Sequence, residues 1–123
     1  MTHTPRARVI HLGVHVAEGG GDAFLAFLKE AKPYYEGPGG IRVRLLRSLA
    51  DPRRFIEVVE YDGEESFDRD QLRVESDPEM AEWLRRWRTL LDEAVRVEVW
   101  EEVTDLVGGS EDPDRRTETS GGV

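Results

Sequence analysis

Four stretches of the chain alternate apolar and polar residues with a period of two, and the segments between them carry apolar residues at helical spacing. Few folds accept the resulting order of strand, helix, strand, strand, helix, strand. In the first strand, Val9 to Val16, residues Ile10, Leu12, Val14 and Val16 share one face and Val9, His11, Gly13 and His15 the other. Gly19, Gly20 and Gly21 break the chain, and Asp22 is placed to cap a helix in which Phe24, Phe27, Leu28 and Ala31 recur on one side. Pro33 is expected to end or bend that helix. After a glycine-rich loop, Ile41 to Leu49 sets Ile41, Val43 and Leu45 against Arg42 and Arg44. Asp51-Pro52 marks a turn, and Phe55 to Tyr61 returns antiparallel as the third strand.

Glu64 to Val74 reads as a weak helix or ordered loop anchored by Phe67 and Leu72. Asp77-Pro78 opens a firmer helix with Met80, Trp83, Leu84, Trp87 and Leu91 in one stripe and a Glu82–Arg86 pair outside. Val95 to Val103 is the fourth strand, with Val95, Val97 and Val99 opposed to Arg96, Glu98 and Trp100. The expected architecture is α+β: a ferredoxin-like βαββαβ domain over residues 8–106, with a four-stranded antiparallel sheet and two helices on one face. Residues 1–7 are expected to be a flexible arm and 107–123 a disordered acidic tail.

Two helices cover one face of such a sheet. The other carries His11, His15, Arg42, Arg44, Glu98 and Trp100. The third strand is mixed on both sides, so Phe55, Glu57, Val59 and Tyr61 could join either face. A charged face bearing aromatic rings suits pairing with a second copy; a solvated face in a monomer is the alternative.

Charge narrows the partners. The 123 residues carry a net charge of −9, which repels phosphate backbones and anionic lipid, so neither nucleic acid nor membrane is expected. The chain has no cysteine, which removes disulfides, thiolate catalysis and cysteine-held metals. No apolar run approaches a membrane span and Met1–Arg8 lacks a signal-like stretch, so the expected location is cytoplasmic. Glu64, Glu65, Asp68 and Asp70 lack the spacing of a calcium loop, and Gly19–Gly21 lacks the lysine and hydroxyl of a phosphate loop.

The stretch G-G-I-R-V-R-L-L-R-S at 39–48, the stretch D-P-R-R-F-I-E-V-V-E-Y-D-G-E-E-S-F at 51–67 and V-R-V-E-V-W-E-E-V at 95–103 resemble the dimeric α+β barrel superfamily, which includes the antibiotic biosynthesis monooxygenase-like proteins. The resemblance covers about residues 8–104. It implies a homodimer built through the open sheet face, with a small pocket between each sheet and its helices. It also implies a cofactor-independent monooxygenase or isomerase acting on a small aromatic or polyketide-like molecule. The haem-degrading branch uses a histidine after the third strand; here that region reads Phe67 to Gln71 and has none, so haem is not implied and no cofactor is expected.

His11 and His15 are the candidate proton acceptors, because imidazole titrates near neutral pH. They lie about 13 Å apart along one strand face, too far to share a metal. Tyr61 and Trp100 are candidate pocket walls and Arg42 or Arg44 the candidate partner of an anionic intermediate. Interface or solvated roles are open for each of the six. A non-catalytic dimeric module that binds a small ligand or another protein is the rival function.

Overall fold

The computed structural model describes residues 6–108, so the expected arm and acidic tail lie almost wholly outside the described residues. Eight elements follow in order: β1 (Arg8–His15), α1 (Gly21–Glu36), β2 (Ile41–Arg47), β3 (Arg54–Tyr61), α2 (Glu64–Ser76), α3 (Pro78–Arg88), β4 (Arg96–Glu101) and a 3₁₀ turn at Thr104–Val107. The strands form one antiparallel sheet in the order β2-β3-β1-β4. The fold is the expected ferredoxin-like α+β architecture, with three helices where two were expected. Among the described residues no helix is long and apolar enough to cross a membrane.

The second crossover breaks in two at Asp77-Pro78. Proline forces the residue before it out of helical geometry, and Asp77 is extended at φ −89° and ψ 116°. Its side chain accepts from the Glu79 amide, capping α3. The stretch that read as a weak helix is thirteen residues of α2. Its buried positions are the polar Ser66 and Asp70, which is why its stripe was faint. Phe67 packs edge-on against Tyr61, whereas Leu72 is exposed and anchors nothing. Glu82 pairs with Arg85, not with Arg86, whose guanidinium lies over the rings of Phe27 and Trp83.

Pro33 neither ends nor replaces α1, which runs on to Glu36. The proline stands in the last turn and removes one amide donor, that to the Lys29 carbonyl, while the carbonyls after it lack partners within the helix. Arg73 of α2 supplies them, donating to the carbonyls of Tyr34 and Tyr35 at 3.0 and 2.8 Å. Tyr34 stacks on Trp83 and donates its hydroxyl to Asp77. The N-cap of α1 is Gly20, and Asp22 sits in the first turn without capping it.

The register settles the third strand. Ile10 faces Val59, Leu12 faces Glu57 and Val14 faces Phe55, so Phe55, Glu57, Val59 and Tyr61 all turn toward the helices. The core has two parts. Val14, Phe24, Phe55 and Trp87 belong to the larger, and Ile10, Ile41 and Tyr61 form the smaller. β4 is different, because all six of its residues are exposed.

Gly40 precedes β2 at φ +76°, and a β-carbon there would lie 2.8 Å from an Asp62 carboxyl oxygen. Its carbonyl accepts from the Asp62 amide, tying the β2 entry to the end of β3. Gly40→Ala should destabilise the domain by about 1–3 kcal/mol in urea unfolding, because an L-residue at this angle is strained and the contact forces Asp62 aside.

Candidate functional site

A cavity of about 280 Å³ lies between the sheet and the helices, walled by residues of both core clusters, Ile10, Ile41 and Trp87 among them. Most of the wall is aliphatic or aromatic, and a few polar residues belong to it: Glu57 and Tyr61 from β3, Tyr35 from α1, Asp70, Gln71 and Arg73 from α2, and Arg88 from the end of α3.

Glu57 is the chemical outlier. Leu12 and Leu45 lie opposite it on the two neighbouring strands, and its residue is 3% exposed. The Trp87 indole donates to one of its oxygens at 2.5 Å, the single hydrogen bond the side chain makes among the described residues. Among the described residues no fully buried side-chain oxygen or nitrogen lacks a partner. The second oxygen therefore reaches accessible space, and the space Glu57 lines is the cavity. Burial pushes the carboxyl up to about 7, and the indole hydrogen bond opposes that rise. Glu57 thus changes charge near neutrality inside an apolar chamber.

Around it are two phenols. Tyr61 donates to Asp70 at 2.5 Å, and Asp70 is held in turn by Arg73 at 3.1 Å. Tyr35 lines the same cavity, and its hydroxyl has no hydrogen-bond partner among the described residues. Burial first, and the nearby Glu57 charge second, raise its pKa, so it stays protonated as a free donor.

The six residues singled out from sequence separate. Tyr61 lines the cavity. His11, Arg42, Arg44 and Trp100 stand on the opposite sheet face, where the His11 and Trp100 rings lie 6.0 Å apart and Arg44 pairs with Glu60 at 3.4 Å. A shallow hollow on that face includes His11, Arg54, Arg96 and Glu98. His15 sits at the end of β1, buried, with Nδ1 2.7 Å from Asp92 and Nε2 3.0 Å from Asp51. Its pKa is raised, chiefly by the Asp92 hydrogen bond, while the pKa values of Asp51 and Asp92 are lowered. Ligand atoms of His15, Asp92 and Glu93 lie within 4.8 Å of one another, close enough to hold a cation. Arg53 and Arg54 already pair with Asp92 and Glu93, however. This cluster ties the end of β1 to the β2–β3 turn and to the segment before β4.

Comparison with known proteins finds no matching family model and no matching curated protein. Solved structures match in fold. A protein from Nitrosomonas europaea, named provisionally as an antibiotic biosynthesis monooxygenase, superposes with a TM-score of 0.68 at 15% identity, covering 85% of this chain and 97% of its own. One from Bordetella bronchiseptica with the same provisional name gives 0.66 at 23% identity, over 81% and 99%. Rv0793 from Mycobacterium tuberculosis gives 0.63 at 16%, over 79% and 95%. At these identities the likeness is one of fold, and it is the fold that residues 39–48, 51–67 and 95–103 resembled.

The raised Glu57 carboxyl has a thermodynamic signature. Between pH 4.5 and about 7 the unfolded chain releases the Glu57 proton while the folded chain keeps it. The Glu57 contribution to stability falls across that window and levels off above it, by on the order of 3 kcal/mol. Glu57→Gln keeps an acceptor for Trp87 and loses the titration. The stability difference between the two proteins should therefore shift by about 3 kcal/mol in favour of the variant from pH 4 to pH 8 in denaturant unfolding, other groups cancelling.

Proposed function

We propose that the chain is a cofactor-independent enzyme, an oxygenase or isomerase, that takes a proton from a small aromatic or polyketide-like molecule. One observation carries the reading: the Glu57 carboxyl opens into an apolar cavity and titrates near pH 7. A carboxylate with little water around it is a strong base, and one poised near the working pH is an effective one. The provisional names of the fold neighbours are consistent with it.

In this mechanism a substrate bearing an activated methylene lies against Ile10, Leu12 and Val43, with its C–H toward the free Glu57 oxygen. Glu57 takes the proton, and the electron pair moves onto the adjacent carbonyl oxygen as an enolate. The Tyr35 hydroxyl donates to that oxygen, a preorganised donor in a dry site. Trp87 fixes the orientation of the base. Returning the proton to another carbon is isomerisation. Reaction of the carbanion with dioxygen converts the CH₂ to C=O and releases the second oxygen atom as water, the substrate's own methylene supplying all four electrons.

The enzyme works as a homodimer through the open sheet face. Trp100 and Leu46, 52% and 45% exposed, lie there beside His11 and the Arg42, Arg44 and Glu60 charges. An aromatic and an aliphatic side chain left bare among charges are what an isologous interface buries. Light scattering at micromolar concentration should report the mass of two chains, and Trp100→Glu should report one; a single-chain mass for the wild type refutes the dimer.

Anthrone in D₂O, followed by NMR for loss of the methylene protons and by an oxygen electrode for uptake, tests the chemistry. The wild type should accelerate one or both, with kcat/KM rising toward a plateau as pH passes about 7. Glu57→Gln should lose on the order of 10²–10⁴ in rate. A His11→Ala, His15→Ala double variant that retains its fold should retain the reaction. Loss of activity in the double variant with full activity in Glu57→Gln would move the base to a histidine. No rate above background for any enolisable probe would leave the non-catalytic ligand-binding module as the function.

A further inference from the structure

The cavity wall has three exposed members: Val74 at the end of α2, Arg88 at the end of α3 and Val97 on β4. The other wall residues are buried or half-buried, so these three mark where the cavity meets solvent. Two of these three are apolar and the third is an arginine. Of the two arginines on the wall, Arg73 is committed to Asp70 and to the carbonyls of Tyr34 and Tyr35. Arg88 has no ion pair and no side-chain hydrogen bond with any described residue. Other arginines, Arg47 and Arg96 among them, also lack an ion pair with any described residue, but Arg88 is the unpaired one on the wall of this cavity.

The sheet register gives the span from mouth to base. Glu57 faces Leu12, and Leu12 faces Val97, so base and mouth lie on one row across the sheet, two strand spacings apart. That is about 10 Å, the length of one ring with a short arm. The net charge of the chain is screened beyond about 8–10 Å at ordinary salt, so what an anion meets at the mouth is set by the charges there, Arg88 among them.

We propose that the substrate of this site is an anion: a ring-bearing molecule whose carboxylate is held by Arg88 at the mouth while its reacting carbon lies against Glu57. Arg88 is then a specificity-determining residue and Glu57 the base. This rests on the cavity being the ligand site named above. A carboxylate at the mouth suits Arg88, whose planar fork can hold both oxygens, and it leaves the apolar ring to displace the cavity's solvent. It also keeps the substrate's charge at the solvent edge, where no burial of an anion beside Glu57 is required.

The test uses 3-phenylpropanoate and its neutral isostere 3-phenylpropanamide as probes, titrated calorimetrically into the full chain at pH 6, where Glu57 is largely uncharged. The wild type should bind the carboxylate at least about tenfold more tightly than the amide. Arg88→Gln should bind both alike, and Arg88→Lys should recover part of the preference. Glu57→Gln should keep the preference intact, which separates this proposal from the catalytic one: a chain inactive toward every enolisable probe can still show Arg88-dependent anion selection. Equal affinity for the two probes in the wild type, survival of the preference in Arg88→Gln, or no binding of either probe at millimolar concentration each overturn the proposal.

Discussion

The register between β1 and β3 decides what each face of the sheet can do. Leu12 opposite Glu57 puts an acid among Ile10, Val59 and Trp87, and Val58 and Glu60 on the other side. A slip of one residue would exchange the two sets and leave Phe55 and Tyr61 outside. The slip is resisted because Phe55 packs on Phe24, at 4.9 Å between ring centroids, and Tyr61 meets both Phe67 and Asp70. Each aromatic anchor is a contact with a different helix. The position of Glu57 is therefore fixed by its neighbours at both ends of β3, and its burial is a cost those neighbours offset.

The same side chains serve fold and site. Arg73 completes the last turn of α1 by donating to the Tyr34 and Tyr35 carbonyls, and it holds Asp70 under the Tyr61 hydroxyl. Fully partnered polar groups of this kind rigidify an interior, whereas an unpartnered one would weaken it. Against that background four cavity residues keep spare polar capacity among the described residues: Glu57 with its second oxygen, Tyr35 with its hydroxyl, Gln71 with its amide and Arg88 with its guanidinium. A fold that satisfies its other buried polar atoms and leaves these facing one space has the arrangement that ligand binding needs.

The strand order, both long helical stripes and the inward faces of β1 and β2 were legible because alternation over seven or eight residues has one reading. β3 was not, because F-I-E-V-V-E-Y offers an acid to each face and an aromatic to only one. The signal that could have settled it was the spacing of Phe55, Val59 and Tyr61, three large apolar groups on one side with a single glutamate between them. That pattern marks a buried carboxylate, and it points away from histidine as the titrating group of the cavity. α2 was faint because its inward positions are Ser66 and Asp70, whose value comes from hydrogen bonds with Asp62, Gly63, Tyr61 and Arg73 and not from apolar burial. Tyr35 and Arg88 carry no local signal at all; their role depends on which space they adjoin and on which partners they lack. Of the six residues singled out from sequence, Tyr61 alone reaches that space.

The two faces divide the remaining work. On the helical face, β4 contributes Val97 and Val99 with more than half of each exposed, so the apolar layer runs past the cavity mouth without cover. On the other face Trp100, from the same strand, is equally bare. One short strand thus borders both the entrance to the cavity and the surface proposed for pairing. A change in how β4 packs against a second copy would move Val97, and Val97 is one of three residues bounding the entrance. Association through the proposed surface would thus act on access to Glu57 through six residues, whose backbone is held on one side only, by β1.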